Sequence, residues 1–145
     1  MLFFITAAVL LASAEAKFFK DCGSKLATVH NVTVSGCEES SSHCILKRNT
    51  DATIGLQFTP LHNIDRINTE VHGVIMNIPI PFPLPESDAC KDNGLTCPLK
   101  EGTLADYKAT LPILKSYPKV TVEVKWELQS EHGDLVCVLI NAKLV

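Results

Sequence analysis

The sequence predicts an all-β protein, an immunoglobulin-like two-sheet antiparallel β-sandwich of about seven strands. Three observations carry that prediction. Apolar and polar residues alternate along several short runs. Turn-forming residues separate those runs at short intervals. The helical signal is weak: only residues 103–111 (TLADYKATL) suggest one short helical turn, before Pro112.

Taken in order, residues 29–34 (VHNVTV) and 44–48 (CILKR) are short strand candidates. Residues 52–58 alternate with Ile54, Leu56 and Phe58 on one face. Residues 67–78 (INTEVHGVIMNI) are strand-like, and Gly73 marks a bulge or a close contact within them. Residues 120–129 give the cleanest pattern. Val120, Val122, Val124, Trp126 and Leu128 share one face, and Thr121, Glu123, Lys125, Glu127 and Gln129 share the other. That is the signature of a half-buried antiparallel strand. Residues 131–134 form the turn of a hairpin that ends in a buried strand over residues 134–145.

The run IPIPFPLPE, residues 78–86, places Pro79, Pro81, Pro83 and Pro85 on alternate positions. In a strand, residues i and i+2 direct their N–H groups to the same edge. These prolines therefore delete donors from one edge only, while Ile78, Ile80, Phe82 and Leu84 keep theirs. Such a chain pairs on one side and resists recruitment on the other, so it suits an edge strand. A PxxP ligand needs prolines three apart, which this run lacks. A second apolar, proline-bracketed run, LPILKSYPKV at residues 111–120, is expected to cross between the sheets. Two stiff apolar segments of this kind suit the mouth of a cavity, although ordinary core packing accounts for the same composition.

The chain is long enough for one domain with a core. Residues 1–16 read as a signal peptide, with an apolar run over residues 2–12 and Ala14-Glu15-Ala16 at the cleavage point. Residues 17–145 then form the mature domain. The formal net charge is −3, and Lys47-Arg48 is the longest basic run, which argues against a nucleic-acid partner. All six cysteines lie in the mature part. An even count in a small secreted chain suggests disulfides, and six cysteines allow fifteen pairings. Cys37/Cys44 and Cys90/Cys97 are each seven apart, so local pairing would staple two loops and leave Cys22 to join Cys137. Asn31-Val32-Thr33 is an N-glycosylation sequon at Asn31.

Catalytic signals are missing from the pattern. No GxSxG, HExxH, P-loop or GxGxxG motif occurs, and no CxxC or HxxxH spacing points to zinc. The five histidines are scattered, and no carboxylate pair stands out. The expectation is a protein that is not an enzyme and needs no metal or other cofactor.

The run VHGVIMNIPIPFPLPESDACKDNGLTCPL, residues 71–99, closely resembles the Niemann–Pick type C2 protein family of secreted lipid binders, in its arthropod-type form. So do FKDCGS (19–24), LPILKSYP (111–118) and VEVKWELQ (122–129), with all six cysteines in family order. The resemblance implies the ML lipid-recognition fold, a seven-stranded sandwich that holds a lipid between splayed sheets. It implies disulfides Cys22–Cys137, Cys37–Cys44 and Cys90–Cys97. It implies a ligand-binding set of Ile54, Leu56, Phe58, Ile80, Phe82, Leu111, Ile113, Tyr117, Pro118, Val122, Val124, Trp126 and Val138, with Phe82, Ile113, Tyr117 and Pro118 at the mouth. Val138 and Ala52 stand where vertebrate sterol carriers have Trp and Tyr, which suggests a larger or differently shaped cavity. The implied function is a secreted, monomeric carrier of a sterol, fatty acid or similar apolar ligand, extracellular or lysosomal, handing its lipid to a membrane or protein acceptor. The alternative is a lipid-dependent interaction protein in innate immunity or chemical signalling, such as a semiochemical carrier. With no inward charge legible in the strands, the ligand's polar end is expected near the mouth.

Overall fold

The structure is a computed structural model, described for residues 17–38 and 40–145. The expected signal peptide, residues 1–16, lies outside the described residues. Nine strands occur among them: β1 (Phe19–Asp21), β2 (Ala27–Val34), β3 (Cys44–Leu46), β4 (Thr50–Pro60), β5 (Ile67–Ile75), β6 (Ile78–Pro81), β7 (Ala105–Ile113), β8 (Thr121–Ser130) and β9 (Gly133–Leu144). The two beyond the segments read from the sequence are β1, three residues long, and β7.

The strands form two sheets with no strand in common. One has six strands in the order β1-β9-β8-β5-β6, with β3 also on β9; the other has three, β2-β4-β7. Pairing is antiparallel except for β3, which runs parallel to β9. The alternation read from the sequence decides the inner faces. Along β8, Val122, Val124, Trp126 and Leu128 are buried, and their β9 partners Ala142, Ile140, Val138 and Val136 are buried too. A bulge beside Leu128 adds Leu135 to β9, so Leu135 and Val136 both enter the core. On the smaller sheet Ile54, Leu56 and Phe58 of β4 face inward with Ala109, Tyr107 and Ala105 of β7.

Residues 103–111 do not form the expected helical turn. Residues 105–111 belong to β7, because Ala105, Tyr107, Ala109, Leu111 and Ile113 alternate as a buried face. The same strand absorbs Leu111, Pro112 and Ile113, so only residues 114–120 cross from β7 to β8. Pro112 is tolerated because β7 is an edge strand. The hairpin turn before β9 is Glu131-His132, shorter than the four residues expected.

β6 is an edge strand, as the alternating prolines require. Phe82, just beyond it, still donates its N–H to the Val71 carbonyl at 2.8 Å, so the proline-free positions serve the β5 side. The disulfides are Cys22–Cys137, Cys37–Cys44 and Cys90–Cys97. Cys37–Cys44 joins the loop after β2 to β3 and so ties the two sheets together.

Candidate functional site

Between the sheets lies a narrow apolar hollow of about 20 Å³, walled by the buried side chains of Val34, Leu46, Ala52, Ile54, Leu111, Val124, Trp126 and Ile140. That is room for roughly one water. The two sheets contribute equally: Val34, Ala52, Ile54 and Leu111 come from the three-stranded sheet, and Leu46, Val124, Trp126 and Ile140 from the larger one. Ala52 contributes a short side chain to the wall, and Val138 lies outside it. Larger hollows of about 420 and 550 Å³ are open surface grooves lined in part by charged residues, Glu86, Asp92 and Lys108 in one and Asp65, Arg66 and Glu131 in the other.

Of the residues expected to line a ligand site, Ile54, Leu111, Val124 and Trp126 wall the hollow. Leu56, Phe58, Ile113, Val122 and Val138 are buried in the surrounding core, outside its wall. Phe82 and Tyr117 meet edge to face, ring centroids 5.1 Å apart, bridging the end of β6 and the β7–β8 crossing. Pro118 is exposed on that crossing rather than turned inward. Ile80 pairs with the buried Gly73 and so sits on the inner side of its sheet, yet it is 44% exposed. The three-stranded sheet is too narrow to cover β6. Val34, Leu46 and Ile140 were missed as lining residues. Val34 and Ile140 lay in recognised strands; Leu46 is placed by a parallel pairing that no local pattern signals.

The mouth segment is held from below. Arg48 donates from Nη1 to the carbonyls of Lys115, at 2.9 Å, and Tyr117, at 3.2 Å. Next to it the Asn49 N–H reaches the Ile113 carbonyl at 2.6 Å.

The inner wall is not wholly apolar. Thr69 Oγ1 of β5 and Tyr107 Oη of β7 form a hydrogen bond of 3.3 Å across the gap between the sheets. The Tyr107 and Trp126 rings stand edge to face at 6.3 Å. Among the described residues the buried Trp126 Nε1 has no hydrogen-bond partner. Burial pushes the Tyr107 hydroxyl above its ordinary pKa, against the opposing pull of Thr69 and Trp126, so it stays protonated.

On the opposite, outer face of the six-stranded sheet, Glu70, His72 and Glu127 bring ligand-type atoms within 4.8 Å of one another. Gln129 Nε2 donates to Glu70 at 3.4 Å and Lys125 pairs with Glu127 at 3.7 Å, so each carboxylate has a partner within the protein. Asn31 is exposed on β2, an edge strand. No helix among the described residues is long and apolar enough to cross a membrane.

Two sheets that share no strand, an apolar hollow between them and an aromatic pair over one end define a β-sandwich built around its interior. The ML domain family matches residues 16–144, and the chain belongs to that family. It is 61% identical over 144 residues to the ecdysteroid-regulated 16 kDa protein of Manduca sexta, covering 99% of both chains. It is 46% identical over 141 residues to NPC intracellular cholesterol transporter 2 homolog a of Drosophila melanogaster, covering 97% of this chain and 95% of the other. Among solved structures it is similar to a Niemann–Pick type C2 protein from Japanese carpenter ant. The TM-score is 0.83 at 32% identity, over 88% of this chain and 98% of the other.

Proposed function

We propose that this chain is a secreted carrier of one apolar lipid, a sterol, a fatty acid or a molecule of similar character, held between the two sheets. The observation that carries the reading is the narrow hollow of eight apolar or largely apolar side chains between sheets that share no strand. The sheets can therefore part without breaking a β-ladder. The named relatives include a cholesterol transporter homolog, which supports the same reading.

Entry is assigned to the Phe82–Tyr117 pair. Rotation of the two rings opens the end of the gap, and the lipid then displaces side-chain contacts rather than backbone hydrogen bonds. The driving term is the ligand's own apolar surface, about 25 cal/mol per Å² removed from water. Parting the sheets and immobilising the ligand oppose it. Met76, Ile78 and Ile80 lie exposed at 89%, 63% and 44% on the β5–β6 hairpin beside Phe82, an apolar rim suited to a membrane or protein acceptor. The mature domain starts at residue 17 in this reading, and an exposed Asn31 leaves room for a glycan.

Native mass spectrometry of the protein purified from eukaryotic secretions, followed by lipid extraction, tests the reading. One lipid mass per chain is expected. Absence of any lipid, with no uptake of sterol or fatty-acid probes, would overturn it.

A further inference from the structure

The Trp126 wall of the hollow backs onto a buried polar pair, Thr69 and Tyr107, that lies outside the lining itself. We infer that Trp126 Nε1 and the Thr69–Tyr107 hydroxyl pair form a neutral hydrogen-bonding floor that receives an uncharged oxygen acceptor, a carbonyl or hydroxyl, at the inner end of the ligand. This rests on the carrier reading above and adds the ligand's orientation and chemical class to it.

The three groups lie on neighbouring positions of the inner faces. Val71 pairs with Trp126 across β5 and β8, and Thr69 with Leu128 one step deeper. Tyr107 faces them from β7, paired with Leu56 of β4. The order along the gap therefore runs from the Phe82–Tyr117 mouth, past Leu111 and Val124, to Trp126 and then to Tyr107 and Thr69. All three are nearly fully buried, at 4%, 1% and 2% exposed for Thr69, Tyr107 and Trp126.

The donor count does not close. The groups carry three donors: two hydroxyls and one indole N–H. They make one hydrogen bond between them, and at 3.3 Å it is longer than the roughly 2.7–2.8 Å typical of hydroxyl pairs. The Tyr107 and Trp126 rings adjoin, with centroids 6.3 Å apart, yet among the described residues Trp126 Nε1 has no hydrogen-bond partner. Whichever hydroxyl donates, the other proton and the Trp126 N–H are left over. Buried polar groups in folded proteins are normally satisfied, so a surplus of donors beside a hollow points to a missing acceptor. The Trp126 ring itself walls the hollow.

The surroundings decide which acceptor fits. No charged side chain lines the hollow, so an ionised carboxylate would lose its hydration without a counter-charge. A ketone, ester carbonyl or hydroxyl oxygen loses far less and accepts two donors through its lone pairs. Tyr107 remains a donor because burial disfavours its ionised form. The inference places an oxygen at the inner end, whereas the sequence reading expected the ligand's polar end near the mouth.

The test compares a long-chain methyl ketone with the alkane of equal carbon number, titrated calorimetrically into delipidated protein. The emission of the single tryptophan is followed in parallel. The ketone is expected to bind about ten-fold more tightly and to shift Trp126 emission, while the alkane leaves emission nearly unchanged. Tyr107→Phe and Trp126→Phe are each expected to reduce the ketone's advantage several-fold, read as the ratio of ketone to alkane affinity within each variant. Thr69→Val, nearly isosteric, repeats the test if either aromatic variant fails to fold. Equal binding of ketone and alkane, or an advantage that survives all three substitutions, would overturn the floor and leave the carrier reading intact. Binding of neither probe by folded protein would overturn both.

Discussion

The ring of Phe82 lies directly over Gly73. A Cβ at position 73 would overlap the ring at Cε2 and stand 2.9 Å from Cζ. Gly73 is thus the seat of the mouth residue, a close-contact role that its place in the β5 pattern had suggested. Gly73→Ala is expected to lift Phe82 away from Tyr117 and cost about 1–3 kcal/mol by overpacking. Lipid probes should then exchange faster, by stopped-flow transfer to vesicles. An unchanged exchange rate in the folded variant would remove Phe82 from the entrance.

Phe82→Lys tests the same entrance without substituting a residue of β5. The half-buried Phe82 would be replaced by a charge that prefers water, breaking its contact with Tyr117. Probe affinity is expected to fall about ten-fold while the far-ultraviolet spectrum and Tm stay close to wild type. Undiminished affinity in a folded variant would move the entrance elsewhere.

The disulfides divide by what they enclose. Cys22–Cys137 spans 115 residues, and in the chain-entropy model its removal by a double Cys→Ala change costs about 4–5 kcal/mol. Cys37–Cys44 spans 7, and the same model gives about 2–2.5 kcal/mol. The shorter bridge nevertheless ties one sheet to the other. Its removal is expected to lower Tm less but speed lipid exchange more, a crossed pattern that calorimetry and transfer kinetics together would read. If both measurements simply follow loop length, the tie between the sheets has no part in opening.

Much of this architecture is legible in the amino-acid sequence. The inner face of β8 follows from strict alternation, because burial on one side of a strand imposes a period of two. The edge position of β6 follows from the missing N–H groups of its prolines. Three things are not legible, for physical reasons. Residues 105–111 carry Ala and Lys, which suit a helix as readily as a strand, and only pairing with β4 decides between them. Alternation names the face on which Ile80 lies but not whether anything covers that face. Leu46 reaches the hollow through a non-local parallel pairing of three residues, which leaves no periodic trace. The Thr69–Tyr107–Trp126 cluster is hidden for a related reason: each member reads as an ordinary strand residue until the two sheets face one another.

Two carboxylates give pH dependences of opposite sign. Slight burial tends to raise Glu131, but N–H donation from Asp65 and Arg66 outweighs it and holds the carboxyl below its ordinary value. Its stabilisation is therefore present above the ordinary carboxylate range and lost as pH falls through the lowered folded value. For Asp134, burial first and then Glu127 beside it push the carboxyl up. That ionised form is a penalty near neutral pH, relieved as pH falls through the raised value. Glu131→Gln should lower Tm by a few degrees at pH 7, and Asp134→Asn should raise it slightly, as expected where a like-charge contact is relieved. Both differences should shrink toward about pH 3 in thermal scans. A difference that persists unchanged at low pH would show that packing, not charge, is responsible.

Ile140 offers the sharpest test of where a ligand sits. It is 3% exposed and forms part of the hollow's wall, beside its β8 partner Val124. Ile140→Ala removes buried methyl groups and is expected to cost about 2–5 kcal/mol in the empty protein, since the wall relaxes only partly into the space. The new space is continuous with the existing hollow, so a bound lipid fills it and recovers part of that loss. A ligand that binds only the folded state stabilises it by RT ln(1 + [L]/Kd), and a gain in affinity therefore appears directly as a larger ligand-induced rise in Tm. Scanning calorimetry with and without a saturating fatty-acid or sterol probe should give a greater rise in Ile140→Ala than in wild type. Ile45→Ala, at a position 52% exposed on β3 and outside the hollow, should give the wild-type rise. An equal or smaller rise in Ile140→Ala would place the ligand away from this hollow, because added space next to a bound apolar surface cannot leave its affinity untouched.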